Sequence, residues 1–369
     1  MPNVKIDGFQ LFSIIVLFLF GTTIFLNIGS GAREDAWIVT LISPVAGMIL
    51  FTIYYRLYKY YPDLPLTEYI KKIMGKYVGS IISYFYIIYF IYIASRVLRD
   101  MEELLSSSPY TRTSLITLGI SMLFVLIYAI NLGFEVISRV ILISFFIIGM
   151  ALFIMNILFV INGYIIHLEN IKPILAEGWK PIFKELPLST MVPYGELITL
   201  SMILPFINKH TKILKVGIMA IGVAGLYLTL NILILISILG TETLSSATSP
   251  ALTAVGYINI AGFIQRLDTF IIILVVILGF VKVSLFFFCA VIGMNNLFKI
   301  KQNTLSTFSI GAVIFLSSIL IAPSYQTHID EGLKTVPYVL HLPFQIVIPI
   351  LLFILVTIKE KVTRNTSLN

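Results

Sequence analysis

The chain has 369 residues, 58% of them hydrophobic and only 12% charged, with a formal net charge of +7. This balance excludes an ordinary soluble domain and marks an integral membrane protein. Runs of about twenty apolar residues suit helices crossing roughly 30 Å of hydrocarbon, and no alternating strand pattern is evident.

Hydrophobic runs set against polar breaks predict ten helices. The first, 9–29, follows Lys5 and Asp7 with no small-residue cleavage pattern, so it is expected to remain as a signal anchor. Gly21, Thr22 and Thr23 loosen its middle. The second is 36–58. The third, 77–104, carries Tyr84, Tyr86, Tyr89 and Tyr92, then Arg96, Arg99, Asp100, Glu102 and Glu103. Arg96–Asp100 and Arg99–Glu103 have the i,i+4 spacing of self-paired charges at a helix end. The tyrosines read as packing or interface aromatics, except that Tyr92 lies deep enough to line a central cavity.

The fourth and fifth helices, 113–131 and 136–162, precede a long polar loop, 163–189. Pro193, Gly195-Glu196 and Pro205 interrupt the sixth, 190–208, and the seventh covers 213–239. The eighth, 257–292, starts near an Arg266–Asp268 pair and holds Lys282, too central to snorkel easily. The ninth and tenth, 305–323 and 337–358, lead to a basic tail, 359–369. Lys5, the cluster from Arg56 to Lys76, Arg139, Lys209 to Lys215, Lys299, Lys301 and the tail fall on one side of this map. Both termini are therefore expected in the cytoplasm. The loop 163–189 and the segment 240–259 then lie outside, as a lid over a vestibule or as contacts for a partner. The net charge follows this asymmetry and anionic lipid headgroups, with no case for nucleic acid.

The expected fold is an all-α polytopic membrane protein, one transmembrane domain over 1–369 with halves of about 9–162 and 190–358. Five spans in each half send the second half in with opposite orientation, which generates an inverted repeat. In such folds the first helix of each half is often broken, and ligand sits between the breaks near the midplane. The loosened first and sixth helices fit that pattern. The alternative is that glycine and threonine only let helices pack closely.

Ionisable groups deep in a span need a reason, since even the translocon scale sets about 2.5–3.5 kcal/mol against a charge at the centre. Glu196 and Lys282 are two such groups. Either they form a structural ion pair, or they belong to a site. In a site, Lys282 stands where a coupling cation would sit, and Glu196 receives a ligand ammonium or carries a proton. Unwound amides and hydroxyls would hold an amino-acid carboxylate. The candidate ligand-binding residues are Gly21, Thr22, Thr23, Tyr92, Gly195, Glu196, Thr199, Lys282 and Ser284. His167, His210, His328 and His341 lack metal-ligand spacing, and metalloprotease, nucleophile-elbow and phosphate-loop motifs are absent. No catalytic residue, metal or cofactor is expected, and an enzyme is not. Cys289 stands alone in an apolar run, so no internal disulfide is possible.

Several short stretches carry a resemblance. They are Asp35-Ala36-Trp37-Ile38, the run from Gly133 to Arg139, Asn170-Ile171-Lys172-Pro173-Ile174-Leu175 with Gly178, Gly195-Glu196, Leu204-Pro205-Phe206-Ile207, and Gln265-Arg266-Leu267-Asp268. In this order over almost the whole chain, the sequence resembles the B subunits of spore germinant receptors, within the amino acid–polyamine–organocation transporter superfamily. The resemblance implies a ten-helix fold of the leucine-transporter type, with helices 1 and 6 broken. It also implies a place in the spore inner membrane beside an A subunit and a lipoprotein C subunit, and the sensing of nutrients such as L-amino acids.

Three functions follow as expectations. The leading one is a receptor subunit: a nutrient binds between helices 1, 3, 6 and 8, shifts a closed–open equilibrium, and triggers germination through ion or water permeation or by signalling to partners. The second is a stand-alone secondary amino-acid transporter, since one fold serves both. The third is a scaffold with a vestigial pocket.

The topology map has a direct check. Lys180→Cys and Thr248→Cys, each in a Cys289→Ser background, are expected to react with an impermeant maleimide from outside. Labelling of both only after permeabilisation would sink the ten-span map.

Overall fold

A computed structural model describes residues 5–21, 23–26, 28–107, 110, 112–258, 267–300 and 304–366. Among them every regular element is helical, and strand-like pairing is limited to an isolated parallel bridge between Ile6 and Ile207. α1, Gly8–Phe20, starts at a reciprocal cap. The Asp7 carboxylate accepts the Gln10 amide at 2.8 Å, and the Gln10 side chain accepts the Asp7 amide at 3.0 Å. Its sequence is apolar all round, so it runs through the middle of the bundle with its residues from Ser13 onward buried. It packs against α6 (Phe134–Ile161), α9 (Ile213–Ser246) and α11 (Asp268–Phe298).

α2 (Ala36–Tyr60) lies along α9, and α4 (Lys76–Ser107) lies along α11. α11 is mostly buried, whereas α6 turns Ile143, Phe146, Met150 and Phe153 outward. An exposed apolar face of that kind is stable only against lipid or a partner. Among the described residues, eight helices are long and apolar enough to cross a membrane. The number is nine if α12 (Thr304–Leu320) and α13 (Tyr325–Lys334), bent by 104°, count as one span.

The expected sixth span, 190–208, is not among these. Proline at 193 and 205 removes amide donors that a helix needs. The chain there divides into α7 (Lys180–Ser189), an irregular stretch 190–194, a 3₁₀ stretch Gly195–Thr199, the single-turn α8 (Leu200–Ile203) and a 3₁₀ turn Leu204–Phe206. Val192, at φ −118° and ψ 113°, leaves the helical range altogether.

Other boundaries also move. The eighth expected span starts at Asp268, after a separate short helix α10, Pro250–Gly256; Arg266 lies outside the described residues. The basic segment after α2 contains an additional helix, α3 (Leu66–Met74). It buries Leu66, Tyr69 and Ile70 while Lys72 stays exposed, a short amphipathic pattern easily read as loop. α5 (Leu115–Leu132) packs with α12, and an irregular helical stretch Pro337–Val347 leads into α14 (Ile348–Thr366).

Close packing of α2 on α9 depends on Gly225, where an added Cβ would land on the Pro44 ring. Gly225→Val is therefore expected to destabilise the bundle by about 1–3 kcal/mol through overpacking. Gly149→Val, at an open position, serves as the control. Heating followed by size-exclusion chromatography reads the difference; equal melting of both variants would contradict this packing.

Candidate functional site

α1 ends because Gly21 adopts φ +33°, a left-handed conformation that other residues rarely take. A 3₁₀ turn at Thr23–Phe25 follows. The departure of the chain leaves room for a side chain from α11. A Cβ at Gly21 would stand 2.7 Å from the Lys282 Cδ and 2.9 Å from the Phe18 carbonyl. Lys282 Nζ then reaches Glu196 Oε2 at 2.6 Å and lies 5.8 Å from the centre of the Phe18 ring. Both charged side chains are almost inaccessible, at 2% and 4% exposure. Gly195, next to Glu196, presents its carbonyl to the Tyr54 hydroxyl at 3.3 Å, and a Cβ there would collide with Gln345. Three elements thus meet at one ion pair: the end of α1, the interrupted segment 190–199, and α11.

Two hydrogen-bonded groups flank the pair. In one, the Gln345 amide donates to the Tyr89 hydroxyl at 2.8 Å, and that hydroxyl lies 2.8 Å from His341 Nδ1. Since the Tyr89 oxygen already accepts from Gln345, its proton is free to go to an unprotonated Nδ1. Tyr54 donates to the Gln345 carbonyl at 2.6 Å and so ties α2 to the same group. In the other, His328 Nε2 lies 3.0 Å from Asp100 Oδ1, and the Arg96 guanidinium donates to the His328 carbonyl and, at 3.3 Å, to the Tyr92 hydroxyl.

These groups surround a cleft lined by Arg96, Asp100, Glu196, Lys282, His328 and His341 among apolar residues. A second, smaller cleft, lined by Thr23, Thr40, Ser189, Tyr194 and Asn231, shares Leu26 and Val192 with it.

The structure brings Gly21, Gly195, Glu196 and Lys282 together. Thr23 lines the second cleft, and its buried hydroxyl has no partner among the described residues. Thr199 and Ser284 are buried, but their hydroxyls donate to carbonyls of their own helical turns, at Glu196 and Val281, each at 2.9 Å. Tyr92 is half-buried against Arg96 and is not among the residues lining either cleft. Thr22 lies outside the described residues.

The charges of α4 differ from the expectation of a self-paired helix end. Arg99–Glu103 is an i,i+4 pair at 2.8 Å, but Arg96 and Asp100 both turn to α13. All the charged groups from Arg96 to Glu102 are buried, because α12 and α13 cover this end of α4. Sequence reasoning also missed His328 and His341. The available signal was position: His341 interrupts the apolar run Leu340–Val347, and a polar group there needs a partner.

The chain matches the spore germination protein family over residues 5–326. It is 35% identical over 362 residues to Spore germination protein KB of Bacillus subtilis (strain 168), covering 98% of this chain and 97% of that protein. Spore germination protein A2 of the same organism is 25% identical over 340 residues, 89% of this chain and 88% of that one. Spore germination protein YndE, also of that organism, is 24% identical over 287 residues, 78% of each.

Removing one member of a buried ion pair strands the other. Lys282→Met is expected to destabilise the protein by about 3–5 kcal/mol, and a combined Glu196→Gln, Lys282→Met variant to recover most of that loss. Thermal melting in detergent of the three proteins makes the comparison. A double variant no more stable than the single one would contradict a direct pair.

Proposed function

The chain belongs to the spore germination protein family, and from that premise we propose that it is the nutrient-sensing subunit of a spore germinant receptor. The ligand, an amino acid, occupies the cleft between α1, α4, the segment 190–199 and α11. The carrying observation is the Lys282–Glu196 pair at 2.6 Å, which joins α11 to the interrupted segment directly beside the end of α1. A ligand that binds one arrangement of this junction better than another shifts the balance between closed and open states. That shift triggers germination, through ion or water permeation or through contacts with partners.

In this reading Lys282 stands in for a coupling cation. The protein sits in the spore inner membrane with both termini cytoplasmic, beside A and C subunits. Its spans form ten helices in a leucine-transporter-type inverted repeat, with 9–162 and 190–358 as the halves and the 163–189 loop between them. The interruptions at Gly21 and at 190–199 support that arrangement, since they fall in the first helix of each half.

A germination titration tests the proposal. In spores whose own copy is deleted, Gly21→Leu would push the Lys282 stem aside. It is expected to raise the nutrient concentration for half-maximal response about tenfold or more while the protein still accumulates. Thr22→Val removes one hydroxyl and, if that hydroxyl bonds ligand, weakens the response by roughly 1 kcal/mol, about fivefold. Unchanged titrations for both variants would overturn the site. Stoichiometric uptake of labelled amino acid by the reconstituted chain alone would instead identify a transporter.

A further inference from the structure

The polar groups of the larger cleft differ in how their charges are balanced. At one end Lys282 and Glu196 neutralise each other. Toward the C-terminal end of α4, Arg96 is different. It is buried, and no carboxylate oxygen lies within 4.0 Å of it among the described residues. Asp100, one turn further along the same helix, faces His328 instead. Arginine has five N–H donors, and two contacts occupy Arg96: the His328 carbonyl and the Tyr92 hydroxyl, both uncharged acceptors. A buried cation without an anion carries a desolvation cost that an incoming carboxylate would offset. The opposite wall accommodates the guanidinium closely, since a Cβ at Gly332 of α13 would meet Arg96 Nη2.

We propose that Arg96 anchors the carboxylate, and Asp100 the ammonium, of an amino-acid zwitterion in this cleft. The inference rests on the nutrient-sensing reading above and names the residues that hold the ligand's head group. Residues at i and i+4 stand about 5–6 Å apart on one helix face, a spacing that lets a cation and an anion grip the two ends of one zwitterion. Such a ligand keeps its carboxylate away from the end of α1, where sequence alone would place it. The Lys282 stem occupies that position, and the ligand's side chain extends toward it. α13, which carries both His328 and Gly332, closes the head-group end.

The test uses the full chain in lipid nanodiscs. Each of the twenty L-amino acids is screened by thermal shift, and the strongest binder is compared with its α-carboxamide and its des-amino acid. The native chain is expected to bind both analogues about 10- to 100-fold more weakly than the amino acid. Arg96→Gln should lower affinity for the acid by a similar factor and abolish its preference over the amide. Asp100→Asn should abolish the preference for the ammonium. Arg96→Lys should restore part of the affinity if a positive charge is what the site needs. Equal affinity of the native chain for acid and amide would overturn the assignment while leaving the nutrient reading in place, and it requires no substitution that disturbs folding. Absence of a shift with any amino acid would remove the nutrient reading and the assignment together.

Discussion

A lysine and a glutamate that neutralise each other inside an apolar bundle set the terms for everything around them. Neither charge is tolerable alone at that depth, and together they persist only at close range with water excluded. That requirement brings α11 against the segment 190–199. It also explains why residue 21, where α1 ends, is a glycine: a side chain there would occupy the space of the Lys282 stem. The two chain interruptions and the buried lysine are consequences of one constraint, since each would be unfavourable without the others.

The same logic extends outward from the pair. Irregular backbone inside a membrane is tolerated only where its groups are satisfied by protein or line a polar space. Tyr54 takes up that role by donating to carbonyls at Gly195 and Gln345. Tyr89 and His341 continue the polar layer, and Arg96, Asp100 and His328 close it at the other end of the cleft. Around this layer the outward faces of helices such as α6 are apolar, so polar groups concentrate at the interior and the lipid-facing surface stays uniform. A bundle built this way concentrates its few buried charge contacts in one polar layer within an apolar frame.

Much of this was legible in the sequence where composition and span position carried the signal. The all-helical membrane class, the loosening at Gly21, the interruption near Gly195 and the depth of Glu196 and Lys282 all follow from hydropathy and from residues that break helices. The exchange between Arg96, Asp100 and α13 was not legible. Periodicity along α4 offers an i,i+4 partner to each charge, and Arg99–Glu103 takes it. Arg96 and Asp100 decline it because α13, some 230 positions later, supplies a carbonyl and an imidazole. Such long-range competition leaves no local trace. The hydroxyls of Thr199 and Ser284 fail for the opposite reason: a carbonyl one turn earlier is always within reach of a helical serine or threonine. The interruption expected at Pro193 appears as a division of the chain from 180 to 206 into short helical pieces.

A cryo-electron microscopy map of the full chain in lipid nanodiscs saturated with an amino acid that raises its melting temperature tests the proposed nutrient site most directly. The account predicts new density in the cleft bounded by Arg96, Glu196 and Lys282, together with a changed spacing between α11 and the segment 190–199. Nutrient density seated elsewhere, with this cleft and the Lys282–Glu196 contact the same as without ligand, would contradict it.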